Sequence, residues 1–381
     1  MNILQSIFAD HYEELIYILH PRQVVEKNVE KMINCGDPSF GGAMYMCPHC
    51  GNMKFVPFRC KSRFCPTCGI KYSQQRTNSM AFKLINCTHR HVVFTIDDSL
   101  RHYFLENRHL LNCLFRAVRS VVLRMFYDLN KSKNYVPGMI CVLHTFGRSL
   151  QWNPHIHCLI TEGGFSDDGF WRKVNYFSYI KLRKSFQTAL LNELEKELGP
   201  SFKKMKSKVY YNHKNGFYVY AKPNLCDTRT VTNYIGRYLG RPVIALKRID
   251  AYDGENVTYH YNRHEDNAYV QKTIPALEFI SLLIQHIPEK NFKMIRYYGL
   301  YARHRDIDKQ LIRAIDSSKH SFIKSFTEWR TDILLSFGYD PLCCTKCNHT
   351  MTILEIYYDH HPVSLQDLYE RAKYKAKCRS S

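Results

Sequence analysis

His155-Ile156-His157 sets two imidazoles one residue apart within an apolar run that continues through Cys158, Leu159 and Ile160. On a β-strand, residues two apart project from the same face, so both rings can approach one metal ion. Two neutral imidazoles rarely complete a shell. His144, on the preceding apolar stretch, is the expected third ligand, ahead of Gln151 and Glu162. Coordination positions left open would accept phosphate oxygens. Seventy-seven residues after His157, the run Tyr234-Ile235-Gly236-Arg237-Tyr238 carries two tyrosines four apart, a spacing that shares one face of a helix. A metal beside paired phenols suits attack by tyrosine on a phosphodiester.

Among 27 tyrosines such a pair would ordinarily be two core aromatics, but Gly236, Arg237, Gly240 and Arg241 make this stretch small and basic rather than packed. A phenol titrates near about 10 and needs help at neutral pH. A divalent metal would polarise the scissile phosphate, and Arg237 or Lys247 would favour the phenolate or hold a phosphate oxygen. Transesterification conserves bond energy, so no nucleotide cofactor is required. The sequence carries no G-x-x-x-x-G-K-[ST] loop, in agreement. Two nucleophiles allow two successive strand transfers.

The cysteines form a second constellation. Cys47-Pro48-His49-Cys50-Gly51 and Cys65-Pro66-Thr67-Cys68-Gly69 are two knuckles separated by 14 residues. Paired thiolates from two tight turns fill a tetrahedral zinc shell, which points to a structural rather than catalytic ion. The expected ligands are Cys47, Cys50, Cys65 and Cys68, with Cys60 and His49 able to displace one of them. Cys344 and Cys347 form a later pair for a possible second zinc, with Cys343, His349, His360 and His361 close by in sequence. Fifteen cysteines clustered in such pairs within a long chain favour zinc over disulfides.

A charge of +20, from 54 Lys and Arg against 34 Asp and Glu, calls for a polyanionic partner. The 27 tyrosines and 22 phenylalanines supply stacking surfaces and favour nucleic acid over an acidic membrane. Arg59, Lys61, Arg63 and Lys71 around the knuckles, with Arg241 and Lys247, are the candidate DNA contacts. No apolar run approaches the roughly 18 residues needed to span a bilayer. The beginning MNILQSIFADHYEEL does not read as a signal peptide. A cytoplasmic protein facing DNA is expected.

These residues need elements to hold them. Residues 1–34 read as one or two short helices, with Pro21 in the first turn of the second. Helices are expected over about 70–86, 100–130, 175–198, 275–290 and 302–316. Strands are expected at HRHVVFTI, GMICVLHTF and PHIHCLITEG, with short candidates at VYYN and FYVYAK, and a hairpin across Asp253-Gly254. Asp227, Thr228 and Thr230 start, and Gly240 and Pro242 stop, a short helix bearing both tyrosines. Strands without a βαβ rhythm predict an α+β fold on a central antiparallel sheet flanked by helices. Three units follow: 1–86, helical and zinc-binding, for DNA recognition; 87–274, catalytic; and 275–381, helical with the later cysteines.

The order of knuckles, FTI, HTFGRSLQWNPHIHCLITEGG, YIGRYLGRP and RYYGLYARH resembles the rolling-circle transposases of the insertion-sequence-91 type, members of the HUH endonucleases. The likeness runs from about residue 10 to 350. It implies an HUH-type sheet, nicking of single-stranded DNA at hairpin-bearing transposon ends, a 5′-phosphotyrosine intermediate, and Mg or Mn at the histidines. By match, His155 and His157 become metal ligands and Tyr234 and Tyr238 the two nucleophiles; the third ligand is not fixed by the likeness. It also implies a bacterial or archaeal, nucleoid-associated enzyme. No helicase motif is present, so strand separation would fall to a host helicase, replication or supercoiling. The nearest alternative is a plasmid or phage replication initiator or relaxase with the same chemistry. Another class altogether would be a non-catalytic, zinc-dependent DNA-binding regulator, which leaves the histidines and tyrosines unused.

Overall fold

A computed structural model describes residues 1–130, 134–166, 169–174, 176–225, 242–263, 265–302, 328–358, 361–364, 366–367 and 369–370. Three N-terminal helices come first: α1 (Ile3–Asp10), α2 (Tyr12–Tyr17) and α3 (Gln23–Ile33). Asn2 and Gln5 form a reciprocal capping box that starts α1. Pro21 lies ahead of α3 rather than in its first turn, because Arg22 is the N-cap residue. A hairpin of β1 (Gly42–Met46) and β2 (Met53–Pro57) follows, then α4 (Pro66–Lys83), whose Pro66 occupies the first turn.

The central sheet begins with β3 (His89–Thr95). The expected single helix over 100–130 is divided into α5 (Arg101–Glu106) and α6 (Leu111–Leu129), with a 3-10 turn between them. β4 (Tyr135–Phe146) and β5 (Trp152–Ser166) then form a long antiparallel pair, and β6 (Trp171–Lys173) pairs with the far end of β5. After α7 (Tyr179–Leu198) and α8 (Lys203–Asn212) comes β7 (Val219–Leu225). The expected strand at VYYN is helix instead. Phe202, Met205 and Val209 recur at helical spacing and pack against the core, whereas Tyr211 points to solvent. The turn at Asp253-Gly254 joins β8 (Ile249–Tyr252) to β9 (Asn256–Asn262), with Gly254 at φ +103° and the Asp253 carboxylate accepting from the amides of Glu255 and Asn256. β10 (Tyr269–Pro275) and α9 (Ala276–Ile284) follow, then β11 (Ile295–Gly299). Beyond the Trp329–Phe337 helix lie β12 (Thr352–Tyr358) and β13 (His361–Val363). The helix expected over 302–316 falls almost wholly outside the described residues.

These strands make three antiparallel sheets, ordered β13-β12-β1-β2, β10-β9-β8 and β11-β4-β5-β3-β7. The fold is α+β. One face of the large sheet, with Val92, Phe94, Cys141, Leu143, Ile156 and Cys158, buries against α6 and α7. Leu182, Phe186, Leu190 and Leu194 run four apart along the buried stripe of α7. Truncating a fully buried aromatic there, such as Phe186, to alanine costs about 3–5 kcal/mol. A second core joins α1 and α3 to β8, β9 and α9 through Phe8, Val29, Tyr259 and Phe279. Packing therefore crosses both boundaries expected from the sequence, near residues 86 and 274.

Candidate active site and metal centres

The opposite face of the large sheet is mixed: Ile140, Val142 and Leu159 pack there against Leu84 and Tyr301, and histidines share that face. His144 on β4 lies directly opposite His155 on β5, and Val142 opposite His157. Ile140, Val142 and His144 thus share a face with His155, His157 and Leu159. The nitrogens of His144, His155 and His157 all lie within 4.8 Å of one another. The Nε2 atoms of His155 and His157 face each other at 3.0 Å. Two nitrogens bound to one ion at right angles, each at about 2.1 Å, would be about 3.0 Å apart.

The surrounding hydrogen bonds favour ligation. His155 Nδ1 lies 2.7 Å from the Asn153 carbonyl, which can only accept, so Nδ1 carries the proton and Nε2 keeps its lone pair. His157 Nδ1 lies 3.0 Å from Nε2 of His91 on β3. A ligating His157 must keep Nε2 free and so donates from Nδ1 to His91. Burial pushes His155 down to about 4. His157 sits well below the ordinary range through burial, reinforced by His144, His155 and His91. Both are neutral at physiological pH, the form that binds metals. His286 anchors the β4–β5 connection: Nε2 donates to the Leu150 carbonyl at 2.9 Å, and Nδ1 accepts from the Thr145 hydroxyl at 3.0 Å.

The other third-ligand candidates are placed elsewhere. Glu162 forms a buried ion pair with Arg90, 2.5 Å apart. Gln151 is exposed in the β4–β5 connection. Tyr234, Arg237, Tyr238 and Arg241 lie outside the described residues. Lys247 is described and exposed.

The cysteines group differently from the sequence expectation. Cys65 and Cys68 join Cys35 and Cys60, whereas Cys47 and Cys50 join Cys344 and Cys347, each set with its sulfurs within 4.8 Å. The reason is the β1–β2 hairpin. Its tip, between Met46 and Met53, carries Cys47 and Cys50, and its base, at Gly42 and Pro57, leads to Cys60. The four steps from Gly42 to Met46, at about 3.4 Å each, separate tip from base by roughly 14 Å, whereas sulfurs on one zinc sit about 3.8 Å apart. Cys60, expected only as a substitute ligand, is therefore central to the first set. In that set Cys35 and Cys68 sulfurs are 3.5 Å apart, and the amide of Cys60 donates to Cys35 Sγ at 3.4 Å. The Gln5 amide group donates to the carbonyls of Met32, Ile33 and Cys35, fixing the end of α3 beside the cluster. The clusters support structural zinc.

Two residues escaped the sequence reading. Cys35 is a single cysteine with no paired partner nearby. His91 had a signal, since His89-Arg90-His91 is itself an H-x-H on a strand. Of the basic candidates, Arg59 and Lys61 are exposed. The Arg59 guanidinium also packs over Gly36, where any Cβ would meet it at 2.3 Å. Arg63 lies over the Tyr72 ring, and Lys71 lies 6.0 Å from the Phe337 ring.

Among the described residues no helix is long and apolar enough to cross a membrane. The family described as "Putative transposase" matches residues 138–308, and "Transposase zinc-binding domain" matches residues 7–96. The transposase for insertion sequence element IS801 of Pseudomonas savastanoi pv. phaseolicola is 30% identical over 299 residues, 74% of this chain and 71% of that protein. "Putative transposase y4qJ" of Sinorhizobium fredii is 30% identical over 286 residues, 70% of this chain and 71% of that protein. No solved structure matches the chain. With a zinc-binding N-terminal module followed by a sheet that gathers histidines on one face, and with these relatives, the chain belongs to the IS91/IS801-type transposases, whose partner is DNA.

Proposed function

We propose that this transposase nicks and rejoins single-stranded DNA at the ends of its element through a covalent 5′-phosphotyrosine intermediate. The observation that carries this reading is the convergence of His144, His155 and His157. Their second nitrogens are engaged, for His155 by the Asn153 carbonyl and for His157 by His91. These three imidazoles would hold Mg or Mn, which when bound polarises the scissile phosphate. His91 and the Asn153 carbonyl orient the ligating rings. Tyr234 or Tyr238 attacks phosphorus: the Tyr oxygen–phosphorus bond forms, the bond to the 3′ oxygen breaks, and the phenolic proton balances the 3′-hydroxyl that is released. Arg237 steadies the phenolate or a phosphate oxygen. The second tyrosine cleaves a target strand in the same way, and the 3′-hydroxyl released there attacks the first phosphotyrosine, forming the new phosphodiester as the Tyr oxygen–phosphorus bond breaks and the proton returns to that phenol. Residues 1–86, with Arg59, Lys61, Arg63 and Lys71, read the DNA end, and Arg241 and Lys247 hold the strand near the nucleophiles. A host helicase or replication fork supplies the single strand.

The purified chain with Mg or Mn and a single-stranded oligonucleotide spanning the element end should cleave it and become attached to it. Cleavage that persists unchanged in a Tyr234→Phe, Tyr238→Phe double variant removes the nucleophile assignment. DNA binding should weaken roughly 10³–10⁵-fold between about 50 and 200 mM salt, as for six to ten phosphate contacts. A flat salt response would contradict the electrostatic interface.

A further inference from the structure

We propose that Cys47, Cys50, Cys344 and Cys347 bind one Zn²⁺ and complete a zinc ribbon built from two segments nearly 300 residues apart in sequence. The two segments have the same backbone plan. The Gly51 amide donates to the Cys47 carbonyl, and the Asn348 amide to the Cys344 carbonyl, both at 2.9 Å. The Cys47 amide donates to the Asn52 carbonyl, and the Cys344 amide to the His349 carbonyl, again at 2.9 Å. The residue after each second cysteine is left-handed, Gly51 at φ +68° and Asn348 at φ +58°. The amides of His49 and Cys50 point at Cys47 sulfur, as those of Lys346 and Cys347 point at Cys344 sulfur. Two equivalent knuckles thus face each other.

Their sulfurs converge as a tetrahedral shell requires. Cys47 to Cys347 is 3.4 Å, Cys50 to Cys344 is 3.7 Å and Cys50 to Cys347 is 3.3 Å. Tetrahedral zinc with bonds of about 2.3 Å implies edges of about 3.8 Å, and a disulfide would need about 2.05 Å. Four thiolates fill every position, so the ion is structural. The rings of His49 and His349 stack 3.8 Å apart and parallel within 4°, covering one side. Below the knuckles, β1 pairs with β12 from Met46↔Thr352 to Gly42↔Tyr357, so the metal closes the end of a real ladder. Met351 and Tyr45 pack against Cys47 and Cys344. The consequence is architectural: the segment after residue 342 is part of the N-terminal module, and zinc staples it there. This does not depend on the nuclease reading.

Metal content of the full-length protein by elemental mass spectrometry tests the proposal. The wild type should hold two zinc ions, one for each four-cysteine cluster. Cys344→Ser with Cys347→Ser should lose one, Cys47→Ser with Cys50→Ser should lose one, and all four together should still lose only one. His49→Ala with His349→Ala should keep both. To guard against unfolding, the Co²⁺-loaded wild type should show the spectrum of four-thiolate tetrahedral sites, and change of either knuckle should halve its intensity while the Cys35, Cys60, Cys65 and Cys68 site keeps its own. Full zinc retention after loss of Cys344 and Cys347, additive losses from the two knuckles, or a histidine-dependent ion would each overturn the proposal.

Discussion

The histidine centre and the cysteine ribbon both gather side chains about a point, yet they are built by opposite means. The histidines come from adjacent strands: His144 and His155 are cross-strand neighbours and His157 follows two residues later. The pleat and ladder of one sheet position them, over a face sealed on its other side by α6 and α7. The ribbon depends on pairing between β1 and β12, hundreds of residues apart, and β12 is largely exposed. A centre built into a large sheet keeps its geometry without an ion and can leave coordination positions to a substrate. A centre between two small hairpins needs the ion to exist. The Cys35 cluster lies between these extremes, because Phe8, Phe64 and Met32 bury it in the second core.

That contrast fails or sharpens under substitution. The largest effect should come from Cys65→Ser with Cys68→Ser. Structural zinc is worth on the order of 10 kcal/mol, comparable to a whole domain's stability, so α1–α3 should lose their cooperative thermal transition. Retention of that transition would mean the apolar core alone suffices. His155→Ala or His157→Ala should leave the melt nearly unchanged but lower DNA nicking about 10³-fold, as expected for several kcal/mol of lost transition-state stabilisation. Parallel loss of DNA binding would point to a structural role for those histidines. His91→Ala should weaken metal-dependent nicking about 10–100-fold, and added Mn should restore it. Failure of added metal to rescue would place His91 outside the orienting network. Smallest, Gln5→Ala should cost about 1–3 kcal/mol by leaving the α3 carbonyls without their donor, read from the midpoint of denaturant unfolding. A neutral result would show that water replaces the amide.

What could be read in advance follows the same division. β3, β4, β5 and the Asp253-Gly254 hairpin were legible because alternation, apolar runs and a turn signal are local. His144 was legible because β4 and β5 are joined by a short connection. The knuckles were visible as knuckles, but not their partners: nothing near Cys47 indicates Cys344, and the nearer pair at Cys65 seemed sufficient until the hairpin length intervened. VYYN misled because three apolar residues fit either period, and packing of Val209 beside Phe202 decided for helix.

The most direct test of the account is mass spectrometry of tryptic peptides after the full chain has reacted with Mn and a single-stranded transposon end. New species are expected only on two tryptic peptides, 230–237 with Tyr234 and 238–247 with Tyr238, carrying the oligonucleotide through its 5′-phosphate. Cleaved DNA with free 5′-phosphates and no adduct, or an adduct on any other residue, would contradict it.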